Sequence, residues 1–195
     1  MPEYDGLLAL DRLERAVEKV RDRLLRSTAA LEAAGVPYAV IGGNAVMAWI
    51  NQVDESAVRF TRDVNLVLRR QDLERATAAL ATAGFLYGHS AGMDMFLDGP
   101  EAKARDAVHV IFSGEKVRSE DPVAAPDTDE GVSFGAYRVL TLEALVRMKL
   151  TANRDKDKTH LRDMLEIGLI DATWPSRYPP QLADRLQQLI DTPEG

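Results

Sequence analysis

Leu7, Leu10, Leu13, Val17, Val20, Leu24 and Leu31 recur at intervals of three, four and seven residues within 6–34, the spacing of one face of an amphipathic helix. Gly35 supplies its stop. Tyr38-Ala39-Val40-Ile41 is a short apolar run of the kind a buried strand makes. Gly42-Gly43 then lets the backbone turn with no Cβ in the way, and Asn44 is placed to cap a helix running from Ala45 through Ile50. From Thr61 to Leu68 the period changes to two, with Val64, Leu66 and Leu68 on one face of a strand and Asp63 and Asn65 on the other.

Further along, residues 71–83 read as a second helix stopped by Gly84. Phe85-Leu86-Tyr87 and Met93-Asp94-Met95-Phe96-Leu97 read as strands joined by a turn, with Asp98-Gly99-Pro100 closing the hairpin. Ala107-Val108-His109-Val110-Ile111-Phe112 is another strand. The segment 113–135, with Pro122, Pro126 and acids between Glu120 and Glu130, is too polar for a core and reads as a mobile loop or lid. Tyr137-Arg138-Val139-Leu140 forms a last strand, and helices follow to the end, with Trp174-Pro175 and Pro179-Pro180 marking the break before a terminal one. The pattern divides the chain into a helical region 1–35, a core 36–140 and a C-terminal helical region 141–195 packed on that core in one compact unit.

The chemistry concentrates in residues 38–70. A helix start preceded by two glycines offers free backbone N–H groups and the positive end of the helix dipole, which favour a phosphate oxygen at Gly42, Gly43 and Asn44. Asp63 and Asn65 point the same way, and hard cations such as Mg²⁺ take oxygen ligands shared between carboxylates and substrate phosphates, so the pair is half of a metal site. The plainer alternative is two solvated side chains on an exposed sheet face. On the strand 107–112 the polar inward position is His109, a good ligand for Zn²⁺, Mn²⁺ or Fe²⁺, a poor one for Mg²⁺, and a possible general base near neutrality; a hydrogen-bonded structural imidazole is the alternative. Asp106 lies one residue earlier, which alternation turns to the opposite face.

Gly42-Gly43 followed by a helix and then Asp63-Val64-Asn65 on a strand resembles the signature of the nucleotidyltransferase superfamily of the DNA polymerase β type. Phe60-Thr61-Arg62-Asp63 is similar to the approach to the acidic pair in small bacterial nucleotidyltransferases of the abortive-infection and toxin–antitoxin types. The resemblance covers roughly residues 36–170 and implies an α/β (α+β) fold: a small mixed sheet, flanking helices and C-terminal helices that close over a substrate. It implies a metal-dependent transferase that moves a nucleoside monophosphate from an NTP to a hydroxyl. Asp63 and Asn65 would carry Mg²⁺ or Mn²⁺, with His109 completing the catalytic set, while Gly42, Gly43, Asn44 and Arg62 would contact the nucleotide. The acceptor stays open among a nucleic-acid 3′ end, a protein hydroxyl and a small molecule such as an antibiotic. Active members carry a carboxylate where this chain has Asn65, and a neutral amide brings no charge to offset a second metal ion. A competing expectation is therefore a catalytically degenerate relative kept as a nucleotide-binding or protein-interaction module. In a third, the N-terminal stripe docks on another chain.

Residues 145–165 resemble the charged helical segment that follows the core in the abortive-infection enzymes. Helical spacing places Lys149 at the edge of a stripe with Leu142, Leu145, Val146 and Leu150, where a cation reaches phosphates. Arg154, Lys158 and Asp163 are weaker candidates of the same kind, and the alternative is a solvated charged pair of helices with contacts such as Lys156 to His160. Composition narrows the class: 195 residues, no Cys and a net charge of −7. Disulfides and Cys-ligated zinc are excluded, no apolar run is long enough for a bilayer, and Met1-Pro2-Glu3-Tyr4-Asp5 lacks the order of a signal peptide, so a cytoplasmic protein is expected. Nonspecific duplex binding is not expected at this charge unless Arg59, Arg62, Arg69 and Arg70 form a basic patch near the site.

Overall fold

The computed structural model describes residues 6–57 and 61–193, with the side chains of Gly6, Leu7 and Ala9 left aside. Arg59, Phe60 and residues 1–5, which the sequence reading invoked, lie outside the described residues. Helix α1 (Gly6–Ala33) leads into strand β1 (Tyr38–Ile41), helix α2 (Gly42–Ile50), strand β2 (Val64–Leu68), helix α3 (Leu73–Thr82) and strands β3 (Leu86–Ser90), β4 (Met93–Leu97) and β5 (Ala107–Phe112). Strands β6 (Gly131–Ser133) and β7 (Arg138–Leu140) precede helices α4 (Leu142–Ala152), α5 (Asp155–Glu166) and α6 (Pro180–Asp191).

The strands form one mixed sheet in the order β3-β4-β5-β2-β1-β7-β6. β1 runs antiparallel to β2 and parallel to β7, and β2 runs parallel to β5. This is the α/β architecture, with a mixed sheet and flanking helices, that the resemblance implies. The sheet's centre is apolar because β1 is buried along its whole length and Val64, Leu66 and Leu68 of β2 are fully buried. Leu24 and Leu31 of α1, Leu80 of α3, Leu145 and Leu150 of α4, Leu161 of α5 and Leu182 and Leu186 of α6 join the same hydrophobic cluster. Among the described residues no helix is long and apolar enough to cross a membrane.

The expected hairpin forms as β3–β4 and turns at Ala91 and Gly92, both at positive φ (51° and 75°); that pair is the two-residue geometry whose twist matches antiparallel strands. Two local expectations are corrected. Asp106 is in a 3₁₀ turn before β5, so strand alternation does not apply to it. Segment 113–135 is no free lid: it contributes edge strand β6 and is fastened by its own acids. Asp127 accepts from Arg69 Nη2 at 2.6 Å and from Ser113 Oγ at 2.6 Å, and Glu115 accepts from Arg70 Nε at 2.5 Å. Gly114 and Ala125 close the loop's neck through paired backbone bonds with Ala125 and Glu115. The polarity that marked it as loop is what ties it down, through charge-assisted hydrogen bonds to Arg69 and Arg70. The same pairs consume Arg69 and Arg70, so these do not form a basic patch with Arg62.

Candidate active site

β1 delivers the chain directly into α2, with Gly42 as the first helical residue at φ +68°. A side chain there would be strained, and its Cβ would lie 3.1 Å from Asn65 Nδ2. Gly43 is needed for a different reason: a Cβ would stand 2.5 Å from Thr61 Oγ1. The helix start is thus pressed onto the segment that enters β2. Asn44 does not cap α2, contrary to expectation. The position before the helix is Ile41, no side chain caps it, and the buried Asn44 amide instead donates to the Asp63 carbonyl at 2.8 Å. That bond locks Asp63 to the helix start, and the first N–H groups of α2 are left without an intrahelical partner.

Asp63 lies immediately before β2 and Asn65 within it, on the face opposite the buried Val64 and Leu66. In register, Asn65 pairs with Ile41 of β1 and His109 of β5. Residues that pair across strands share a face, so the structure brings Asn65 and His109 to one side of the sheet, with Gly42 against Asn65 and Asp63 held at the same end by Asn44. His109 is half-buried, and Arg62 is exposed beside Asp63.

The cation facing this group is Lys156, whose Nζ lies 3.6 Å from Asp63 Oδ2. A narrow cleft between α2 and α5 is lined by Gly43, Val46, Thr61, Lys156, His160 and Asp163. Thr61 is 6% exposed, and its hydroxyl has no hydrogen-bond partner among the described residues. Lys149, by contrast, is not brought to the cleft. It is 4% exposed and ion-paired to Asp157 Oδ1 at 3.2 Å. Burial pushes its ammonium below the ordinary lysine range, and the Asp157 charge opposes that. Burial works to raise the Asp157 carboxyl, but the Arg154 guanidinium and the Lys149 charge together hold it below the usual carboxylate range. Arg154 binds the same carboxylate at 2.7 Å, and Lys158 pairs loosely with Asp155.

Lys156, Thr61 and His160 are what the sequence reading left out of the site. The readable signal was the polar spacing Lys156, His160, Asp163 at i, i+4 and i+7, one face of α5. The donor set also sets limits on a metal ion. Among the described residues no three of His, Cys, Asp and Glu cluster as ligands. One carboxylate beside an amide does not make a free-standing site, but it fits an ion that a polyphosphate brings with it.

No family model and no curated protein matches the chain. Solved structures do match in fold. The antibiotic-resistance factor ANT(2'')-Ia, in its solution structure, is 14% identical over 86% of this chain and 88% of its own, with a TM-score of 0.52. An antigenic nucleotidyltransferase-like protein from Paracoccidioides brasiliensis is 17% identical over 87% of this chain and 88% of its own, with a TM-score of 0.54. The likeness is one of fold: the chain shares the fold of ANT(2'')-Ia and of this nucleotidyltransferase-like protein.

Proposed function

We propose that the protein is a nucleotidyltransferase that binds an NTP with its phosphates against the start of α2 and transfers the nucleoside monophosphate to a hydroxyl. The observation that carries this reading is the meeting of an uncapped helix start, the backbone of Asp63 tied to it through Asn44, and the Lys156 ammonium from a separate helix against the Asp63 carboxylate. The N–H groups of Gly43 and Asn44 receive phosphate oxygens, and Lys156 adds a mobile positive charge along the phosphate chain. Thr61 offers its unused hydroxyl as a further donor to them. Asp63, with the Asn65 carbonyl beside it, would hold a Mg²⁺ or Mn²⁺ ion arriving with the triphosphate, which when bound supplies charge neutralisation at the phosphates.

The reaction replaces one P–O bond by another. The acceptor oxygen bonds to the α-phosphorus, the bond from that phosphorus to the bridging oxygen of the β-phosphate breaks, and pyrophosphate leaves. The hydroxyl proton needs a base, and His109, on the same face as Asn65, is the group the sheet presents for it. Lys156 and the helix N–H groups stay with the departing negative charge.

Calorimetric titration of the four NTPs with Mg²⁺ or Mn²⁺ into the protein and into Asp63→Ala tests the reading. The expected result is metal-dependent binding that the substitution weakens at least tenfold, followed by pyrophosphate release when hydroxyl acceptors are supplied. Binding that persists in Asp63→Ala places the nucleotide elsewhere, and NTP binding with no pyrophosphate under any acceptor assigns the pocket to a nucleotide-binding module instead.

A further inference from the structure

Ile41, Asn65, His109, Met95 and Gly88 stand in one row across β1, β2, β5, β4 and β3, each paired in register with the next. Paired residues share a face, so the row carries one face of the sheet from the start of α2 outward to the edge strand β3. At the outer end Leu86 and Met93 are 46% and 51% exposed, and Gly88, Leu97 and His109 are half-buried. Gly88 makes a hollow there. A Cβ built on it would face Leu97 Cδ1 at 3.7 Å and Met95 Cγ at 3.9 Å, both ordinary van der Waals contacts, and its φ is not positive. Neither the backbone nor the space beneath demands glycine at this position.

The same face is short of charge. In a chain that is 28% charged, Leu86, Ser90, Met93, Leu97, Ala107 and Ile111 flank the row on β3, β4 and β5, and the one titratable side chain among them is His109. The opposite face of the β3–β4 hairpin is polar, with Tyr87 and His89 both bound to the Asp94 carboxylate.

We propose that the apolar face is the acceptor subsite and that the acceptor is a hydroxyl carried on an uncharged, apolar body. The inference rests on the transferase reading and names its substrate class. Displacement at phosphorus is in line, so the entering oxygen and the departing pyrophosphate lie on opposite sides of the α-phosphorus. The β- and γ-phosphates are held by the start of α2 and by Lys156, on the β1 side of Asn65. The acceptor therefore enters from the β5 side, where His109 takes its proton. Behind the hydroxyl, the acceptor's body reaches over β4 to the Gly88 hollow, two strand spacings or about 10 Å from His109. Burial of apolar surface holds it, and the flexible Met93 adapts to its outline. A polycation or a nucleic-acid strand needs opposite charge beneath it and finds none on this face.

The test is methyl NMR of the full chain with labelled methionines, in Mg²⁺ and a non-hydrolysable ATP analogue. The protein is titrated with 3-phenylpropan-1-ol, with the polycation kanamycin, and with a DNA oligonucleotide bearing a free 3′ hydroxyl. The alcohol alone is expected to move the Met93 and Met95 signals, and with ATP it is expected to drive pyrophosphate release. Gly88→Val fills the hollow with a residue that strands favour. It should weaken both responses about tenfold while leaving the thermal melt and analogue binding unchanged. Signals that ignore the alcohol, or that move with kanamycin or DNA instead, overturn the proposal, as does an alcohol that binds without pyrophosphate release. Loss of analogue affinity in Gly88→Val also overturns it, by placing the nucleoside on this face. An analogue that fails to bind the unaltered protein defeats the transferase reading and this subsite with it, and that failure is seen before any acceptor is added.

Discussion

Two lysines seven residues apart each face an aspartate, and they do opposite things. Lys149 and Asp157 lie 3.2 Å apart with both side chains 4% exposed, whereas Lys156 and Asp63 lie 3.6 Å apart at 57% and 44% exposure. The first pair welds the corner between α4 and α5, where Asn153 takes a left-handed conformation and Arg154 also binds Asp157. The second sits at the rim of a cleft, where solvent screens the attraction and leaves both groups able to exchange partners. Chemical type is the same in both. Desolvation decides which pair is structure and which is free to meet a ligand.

The contrast breaks most visibly at the buried pair. Lys149→Met strands the Asp157 carboxylate in the interior beside a single remaining cation, and the expected cost is about 3–5 kcal/mol in urea unfolding. Adding Asp157→Leu removes the stranded charge and recovers most of the loss, because Arg154 is exposed enough to be solvated alone. A single-variant loss below about 1 kcal/mol would return Lys149 to the list of ligand-binding candidates.

Gly43→Ala acts on the cleft by shape alone. Its new methyl meets the Oγ1 and Cβ of the buried Thr61, a contact that rotation of that side chain alone does not relieve, so either the Thr61 backbone or the first turn of α2 moves. Overpacking of this kind costs about 1–3 kcal/mol, and ATP titration of the variant is expected to lose affinity together with stability. Unchanged affinity would detach the helix start from the phosphates.

Acid titration sharpens the comparison from the side of segment 113–135. Hydrogen bonds from Arg69 first, then Ser113 and the Asp129 N–H, hold the Asp127 carboxyl far below its ordinary range, and Asp157 is depressed as well. For a carboxyl depressed on folding, the stabilisation is present above the unfolded value of about 3.9 and fades as pH falls through the folded one. The unfolding midpoint should therefore decline below about pH 4. Asp127→Asn should flatten part of that decline, by about 1 kcal/mol at most because the side chain is 44% exposed.

The alternation in 61–68 and the Gly-Gly turn were enough to read β1, β2 and a helix directly after β1, because each rests on backbone geometry that a few adjacent residues dictate, but not that the helix begins at Gly42 rather than after Asn44. His109 was legible as the polar position of an apolar strand, but its register against Asn65 depends on a parallel pairing over forty residues away, which local pattern does not encode. Lys149 misled because helical spacing identifies a face without saying what covers it. Here Asp157, from the next helix, takes the ammonium. Segment 113–135 misled in the same way, since polar composition describes a loop on water and a loop held by Arg69 and Arg70 alike.

The smallest stability effect is the most informative for function. Lys156→Ala removes an exposed ion pair and should change unfolding free energy by about 0–1 kcal/mol. If Lys156 reaches the phosphate chain, the same substitution should weaken Mg-ATP binding roughly tenfold, about 1.4 kcal/mol. Asp63 loses its ammonium partner at the same time, so metal affinity in the presence of ATP should hold or rise while ATP affinity falls. That split follows from the geometry: a cation facing a carboxylate at 3.6 Å competes with a metal ion for the carboxylate but cooperates with it at the phosphates. Lys156→Ala binding Mg-ATP as tightly as the unaltered protein would reduce Lys156–Asp63 to a surface ion pair and leave the helix start of α2 and Thr61 as the phosphate contacts.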